Sequence, residues 1–562
     1  MKSYIKNSLL GLGAAGMLFS MTACTDLDET LYSSLNDTNI DLSNPIDRDL
    51  LTGQAITQYK YLHESWFGLF HMLGLTDEYC IPLRIGMGWG DLYILGHKHT
   101  WNENYGMAEN NWNYGYLCIN YCNMVLDAMT PEEIEADGQE LRFFRALTYY
   151  HFLDVFRNVP LQTTCNLVDG EVPEQATAQQ IYDFCVNELE AIKNTITKDK
   201  VFGHPNKYAV CMALAKLYLN KNVYLGTDDN DGYEKALENA EIVITEGGYQ
   251  LAAKYSDNFR ENLKDCPETI FAIPGDRTYS NIFNAHTYFM PLVGLQAYGS
   301  TANATNGSNA VPQFVDTYDP EDKRLGDTWA SGTQHYAVKN DDGTYTPNAG
   351  DPIPYDEDDW SGTGVLTYNR NVHSIDGAYK QEGYRLHKYE IIGGVDNGTS
   401  CDDLVIFRLA DAMFIKAECL LRLGRDEQTA ADLVTQVRKR SFDTAAKATR
   451  TISDLKGGSV YAYGHEECTS EGYNNWSDWK RTYEGGADII LGGLLDDLGW
   501  EFCMEEHRRQ DLIRFKMTDG RNVWNGKSWF CKDATTETKW DVYPIPYEAM
   551  KTNNKLKQNP GY

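Results

Sequence analysis

Between Glu140 and Phe156 apolar side chains fall at Leu141, Phe144, Leu147, Phe152 and Val155, close to the 3.6-residue repeat of a helix. A second stripe, Phe143, Ala146, Tyr150 and Leu153, runs beside the first. A helix apolar on most of its circumference must be buried on most of it. Only a fold that surrounds this segment with other elements can accommodate it. The same periodicity predicts a helix over Lys207–Asn220 and another over Tyr233–Thr245, joined by the Gly/Asp-rich turn Gly226–Gly232. Asp403–Leu423 and Asp426–Arg440 repeat that layout around Gly424, with small residues at matching places, Ala215 in one pair and Ala417 in the other. The expectation is a mainly α fold: a tetratricopeptide-like helical-repeat scaffold, mainly 45–260 and 403–562.

Between about 265 and 400 the composition shifts to Gly, Asn, Asp, Ser and Thr, with dense stretches at Ser300–Asn309, Lys339–Asp359 and Gly393–Asp402. Irregular segments of that length are usually functional or disordered, and this insertion is expected to form the ligand-binding half. A further loop-rich insertion, Gly457–Gly486, carries Trp476 and Trp479.

At the other end, Lys2 and Lys6 precede an apolar stretch from Leu9 to Met21, long enough for a signal-peptide core and too short to span a bilayer. It closes on Met21-Thr22-Ala23-Cys24, which resembles a bacterial lipobox and makes Cys24 the expected lipidation site. The predicted organisation is a lipoprotein signal peptide over 1–23 and one domain over 24–562. Anchoring by more than one acyl chain is stable.

The formal charge of −31 excludes nucleic acid, whose phosphates need Lys and Arg, and opposes adhesion to anionic lipid. Apart from Cys24, the thirteen cysteines form no Cys-x-x-Cys pair and no zinc spacing. No phosphate-binding loop and no His-Glu-x-x-His is present. The run from Asp228 fails the calcium-loop pattern, with Tyr233 at the sixth place and Asn239 at the twelfth. Neither metal nor cofactor is expected. Glu505, Glu506, His507, Arg508, Arg509 and Asp511 are the densest ionisable cluster. Adjacent carboxylates on a helix point about 100° apart and cannot flank one glycosidic bond, so buried ion pairs explain the cluster better than catalysis.

Several segments, in order, resemble the SusD/RagB family of Bacteroidetes outer-membrane nutrient-binding lipoproteins. They are Glu29-Thr-Leu-Tyr32, the helix from Glu140 closed by Phe156-Arg-Asn-Val-Pro160, Arg408-Leu-Ala-Asp411 through Glu418, Glu505 to Phe515, Tyr543-Pro-Ile-Pro546, and Gln558-Asn-Pro-Gly-Tyr562. The resemblance implies a non-catalytic surface protein that binds oligosaccharide or polysaccharide. It also implies a partner, a TonB-dependent SusC-like transporter, and some members take peptides instead.

Twelve Trp, 37 Tyr and 20 Phe offer flat apolar faces for sugar rings, with polar groups at the edges to orient them. The stretch from Asp77 to Trp112 reads that way and includes Trp89. Asp77, Arg84, Trp101 and Asn102 are the nearest counterparts of the family's starch-binding contacts. Tyr288 and Tyr298, in the loop before Val315, and Trp360 complete the expected ligand-binding set. A lipid-anchored glycosidase using carboxylates near Asp356–Asp359, and a protein-binding helical module, are the alternatives from other classes.

Overall fold

The computed structural model describes residues 40–86, 91–166, 171–276, 290–291, 293–300, 304–307, 309–357, 359, 361–394 and 401–562. The principal helices, in chain order, are α1 (Pro45–Glu64), α2 (Gly106–Asp127), α3 (Gln139–Phe156), α4 (Ala178–Ile192), α5 (Lys207–Leu219), α6 (Asp231–Glu246), α7 (Leu409–Leu423), α8 (Glu427–Arg438), α9 (Gly492–Phe502) and α10 (Arg508–Arg514). None of the described helices is long and apolar enough to cross a membrane.

α3 is the double-striped segment. It is buried from Phe143 to Tyr150 without a break and packs between α2 and α4. From there the helices form a row in which α4 packs on α5, α5 on α6, α6 on α7 and α7 on α8. Small residues hold the row tight: Ala209, Ala236, Ala240, Ala410, Ala417, Ala430 and Ala431 are completely buried. The ends are set locally. Thr177 and Gln180 form a capping box at α4, and the Asn206 side chain accepts from the Tyr208 and Ala209 amides at α5. Gly424, at φ 62°, ends α7 in the left-handed conformation that favours glycine.

One boundary differs from the sequence expectation. Residues Leu404–Arg408 are not helical but form a strand, β2, antiparallel to β1 (Thr269–Ile273), and α7 begins only at Leu409. The run Leu-Val-Ile-Phe is short, uniformly apolar and partly β-branched, so helix and strand read alike until a partner strand is present.

Among the described residues the loop-rich half contains short antiparallel pairs: Trp329–Ala330 with Arg385–Leu386, Gly332–Thr333 with Thr367–Tyr368, and Val338–Lys339 with Tyr345–Thr346. It has a small core of its own around Leu295, Tyr298, Ile353, Leu366 and Tyr368. In the second insertion β3 (Gly464–Cys468) lies between β4 (Trp479–Arg481), antiparallel, and β5 (Trp529–Phe530), parallel.

Buried ion pairs join the chain's ends to its middle. Arg508 clasps Asp77 through two nitrogens at 2.7 and 2.8 Å. Arg509 reaches Asp154 of α3 at 2.8 Å, and Arg514 reaches Glu418 of α7 at 2.7 and 2.9 Å. Arg408 binds Glu268, Glu501 and Glu505 at once. The ionisable cluster from Glu505 to Asp511, with Arg514, therefore joins α10 to α3, α7 and the Asp77 segment through buried ion pairs, as the structural reading of its pattern anticipated. Glu505 is held by Lys388 and Arg408, Glu506 by His63 and Asp511 by Arg514. Burying such charges costs desolvation, which the two-nitrogen clasps of Arg508 and Arg514 and their charge-assisted hydrogen bonds offset in part.

Candidate functional site

Four of the expected ligand contacts are inside the protein. Asp77 is 0 % exposed and Arg84 1 %. Asp77 is taken by Arg508, and the Arg84 guanidinium donates to the carbonyls of Tyr379 and Glu382. Trp101, 2 % exposed, stacks on Tyr543 at 4.5 Å, meets Trp540 edge-on at 5.1 Å and donates its indole N–H to Tyr562 Oη. Tyr298 belongs to the small core of the loop half and meets His387 at 3.1 Å. A sugar can neither stack on a ring that has no free face nor reach a buried charged group already paired, so these four residues are corrected to structural roles. Asn102 is exposed and accepts the Asn104 amide in a turn. Trp89, Tyr288 and Trp360, like Cys24, lie outside the described residues.

A different set of aromatics is presented to solvent. The β3–β4 hairpin continues beyond its ladder through a bond from the Thr469 amide to the Asp478 carbonyl, and turns over Gly472–Asn475. Gly472 has φ 93°, a conformation few other residues adopt there. Its amide donates to Tyr379 Oη at 2.6 Å. Tyr473, Trp476 and Trp479 on the hairpin, and Tyr379 beneath it, are each half-buried. The two indoles are near-parallel, 18° apart with centroids 5.8 Å apart, and Trp479 Nε1 donates to the Trp476 carbonyl.

A histidine and an arginine fix the two rings. His373 stacks on Trp476 at 3.5 Å and 26°. Its Nδ1 meets Glu382, and its Nε2 meets the Asn475 carbonyl at 3.0 Å. Burial works against protonation of His373, but the Glu382 hydrogen bond and charge prevail and raise its pKa above the usual histidine value. His373 is thus a stacked ring partner of Trp476, and Arg481, whose guanidinium carbon lies 3.8 Å from the Trp479 centroid, makes a cation–π contact. Below the platform the hydrogen bond from His465 holds the Glu467 carboxyl down to about 2, and Glu467 accepts from Ser374. Exposed Asn474, Asn475, Asp478 and Lys480 form the rim.

The signal for this platform was in the sequence, two tryptophans three residues apart among Asn, Ser and Asp. Nothing local distinguished it from the Trp101 stretch. The described edge of the Arg84 segment also reaches the platform's base: the Ile85 amide donates to the Ala378 carbonyl, and Lys98 pairs with Asp376.

Two concavities lie elsewhere. One, about 420 Å³, is bounded by Phe202, Tyr249 and the β1 edge; the other, about 440 Å³, lies between α2 and the segment Pro546–Leu556. No group of His, Cys, Asp and Glu suited to a metal occurs among the described residues.

Comparison with known proteins gives a consistent set of relatives. A profile described as "SusD family" matches residues 245–562, and one described as "Starch-binding associating with outer membrane" matches residues 85–219. The chain is 26 % identical to the starch-binding protein SusD of Bacteroides thetaiotaomicron, over 97 % of this chain and 98 % of that one. Its fold is similar to the crystal structure of a SusD superfamily protein from Parabacteroides distasonis, with a TM-score of 0.68 at 18 % identity, covering 94 % of this chain and all of that one. It is also similar to surface glycan-binding protein A from Bacteroides uniformis, with a TM-score of 0.61 at 17 % identity, covering 91 % and 99 %.

Proposed function

Because the chain belongs to the SusD family, we propose that it is a non-catalytic glycan-binding lipoprotein of the outer-membrane surface, held by acylated Cys24. It captures oligosaccharide or polysaccharide and passes it to a TonB-dependent SusC-like transporter. The observation that carries the binding reading is the pair of near-parallel, half-exposed indoles of Trp476 and Trp479, pinned by His373 and Arg481. An open platform suits a long polymer, whose rings lie flat on aromatic faces while its hydroxyls meet the amides and carboxylates of the rim. The names of relatives, starch-binding and surface glycan-binding, support the ligand class. A binding role also agrees with the fate of the densest carboxylate cluster, which is sequestered in ion pairs.

The experiment is affinity electrophoresis over a panel of soluble polysaccharides, followed by calorimetry on the best ligand. Trp476→Ala/Trp479→Ala removes both faces and should lower affinity about ten- to hundredfold, each tenfold being ~1.4 kcal/mol. Its melting temperature should change little, since the hairpin tip lies outside the core. Undiminished affinity in the double variant would remove the platform from the binding site.

A further inference from the structure

The 440 Å³ groove is within the range of small-ligand sites, about 300–1,000 Å³. One wall is a single face of α2: Glu109, Trp112, Asn113 and Tyr116, at the i, i+3, i+4, i+7 spacing that aligns side chains on a helix. The opposite wall is Pro546 and the short helix Tyr547–Thr552, presenting Ala549.

The lining is unevenly satisfied. Tyr116 donates to the Pro160 carbonyl at 2.8 Å, which fixes its ring in the wall. Trp112, 8 % exposed, is backed by Phe152 and Phe156, so its groove edge is rigid. Yet among the described residues the indole N–H of Trp112, the Asn113 amide and the Glu109 carboxylate have no side-chain hydrogen-bond partner. A groove with aromatic and prolyl faces, one free N–H donor, one free amide and one free carboxylate acceptor matches a pyranose, with its C–H face and its hydroxyl edge. No Lys or Arg lines the groove, and although Glu548 is paired with Lys551 at 2.9 Å, the Glu109 carboxylate is not matched by a cation among the described residues, so an anionic sugar is disfavoured.

We propose that this groove is a second carbohydrate site, taking a neutral sugar unit of about disaccharide size, and independent of the Trp476/Trp479 platform. The two share no residue.

Saturation-transfer NMR tests it with a mixture of maltose, cellobiose, lactose and xylobiose, and with glucuronic acid as the acidic control. The background is Trp476→Ala/Trp479→Ala, which silences the platform. Transfer to at least one neutral disaccharide should persist there. It should fall at least about tenfold when Ala549→Trp fills the groove, and glucuronic acid should show none. Asn113→Ala, at an exposed position, should weaken transfer without moving the melting temperature, which separates lost contacts from misfolding. No transfer to any neutral disaccharide in the platform-silenced protein overturns the groove and leaves the platform standing. Transfer unchanged by Ala549→Trp, or stronger to glucuronic acid than to the neutral sugars, overturns it as well.

Discussion

Asp77 separates a clamp from a ligand contact, because either role would make its loss conspicuous. Asp77→Asn keeps the size and removes the charge that Arg508 meets through two nitrogens at 2.7 and 2.8 Å, with both side chains buried. The Tyr463 hydroxyl, which donates to the same carboxylate, loses its charged partner too. An uncompensated guanidinium left in the interior costs about 3–5 kcal/mol. The body from Arg48 to Tyr562 gains roughly 1.1 kcal/mol per degree in unfolding entropy at ~2.1 cal/mol/K per residue, so the melting temperature should fall by about 3–5 °C. Asp77→Leu/Arg508→Met removes both charges and should regain much of that loss, since buried pairs and apolar replacements are often near equal. The assay is a melting curve and a glycan isotherm on each variant. Asp77→Asn with an unchanged melting temperature and abolished glycan binding would refute the clamp. So would a double variant less stable than Asp77→Asn alone.

Cys24→Ser should yield a folded protein released from the membrane, and fractionation with the outer membrane would count against the anchor. Purification from native membranes in detergent should bring down a large barrel protein, and repeated isolation without one argues against a transporter partner. Two buried histidines work against acidification. Burial pushes the pKa of His71 and of His97 down to about 3. Below pH 6.5 the unfolded chain gains protons that the folded chain refuses. The contribution of these two histidines is therefore full above pH 6.5 and lost at about 1.4 kcal/mol per pH unit each as pH falls toward 3, while Glu64 and Glu78, pushed up to about 8 by burial, act oppositely between pH 8 and 4.5. Melting curves at pH 7 and 5 on the parent and on His97→Leu isolate the histidine part: the variant should lose less stability on acidification, and equal changes would contradict it.

Legibility followed sequence distance. α3 was readable because both its stripes are written in consecutive residues, and α5 and α6 because their apolar repeat and the glycine turn between them are local. Leu404–Arg408 was not, because its strand partner lies at Thr269–Ile273. The expected binding residues failed for the same reason. Glycine, tryptophan and polar residues around Trp101 resemble an exposed loop. The residues that enclose it, Trp540, Tyr543 and Tyr562, come more than four hundred positions later. Trp476 was visible as a loop tryptophan, but its support, His373 with Glu382, is a tertiary arrangement.

The pairing of Trp101 with Tyr562 spans 461 positions, and those of Asp77 with Arg508 and His63 with Glu506 span 431 and 443. Closure over such separations is slow, because the entropy of bringing distant segments together is lost before their contacts form. A chain synthesised from its amino end would therefore pass most of its length with Asp77 and Trp101 still unmatched. The early helices can form and pair, yet the interior cannot shut until the segment after Glu505 has emerged. The same connectivity that locks the folded protein would keep the growing chain loose until its far end arrives.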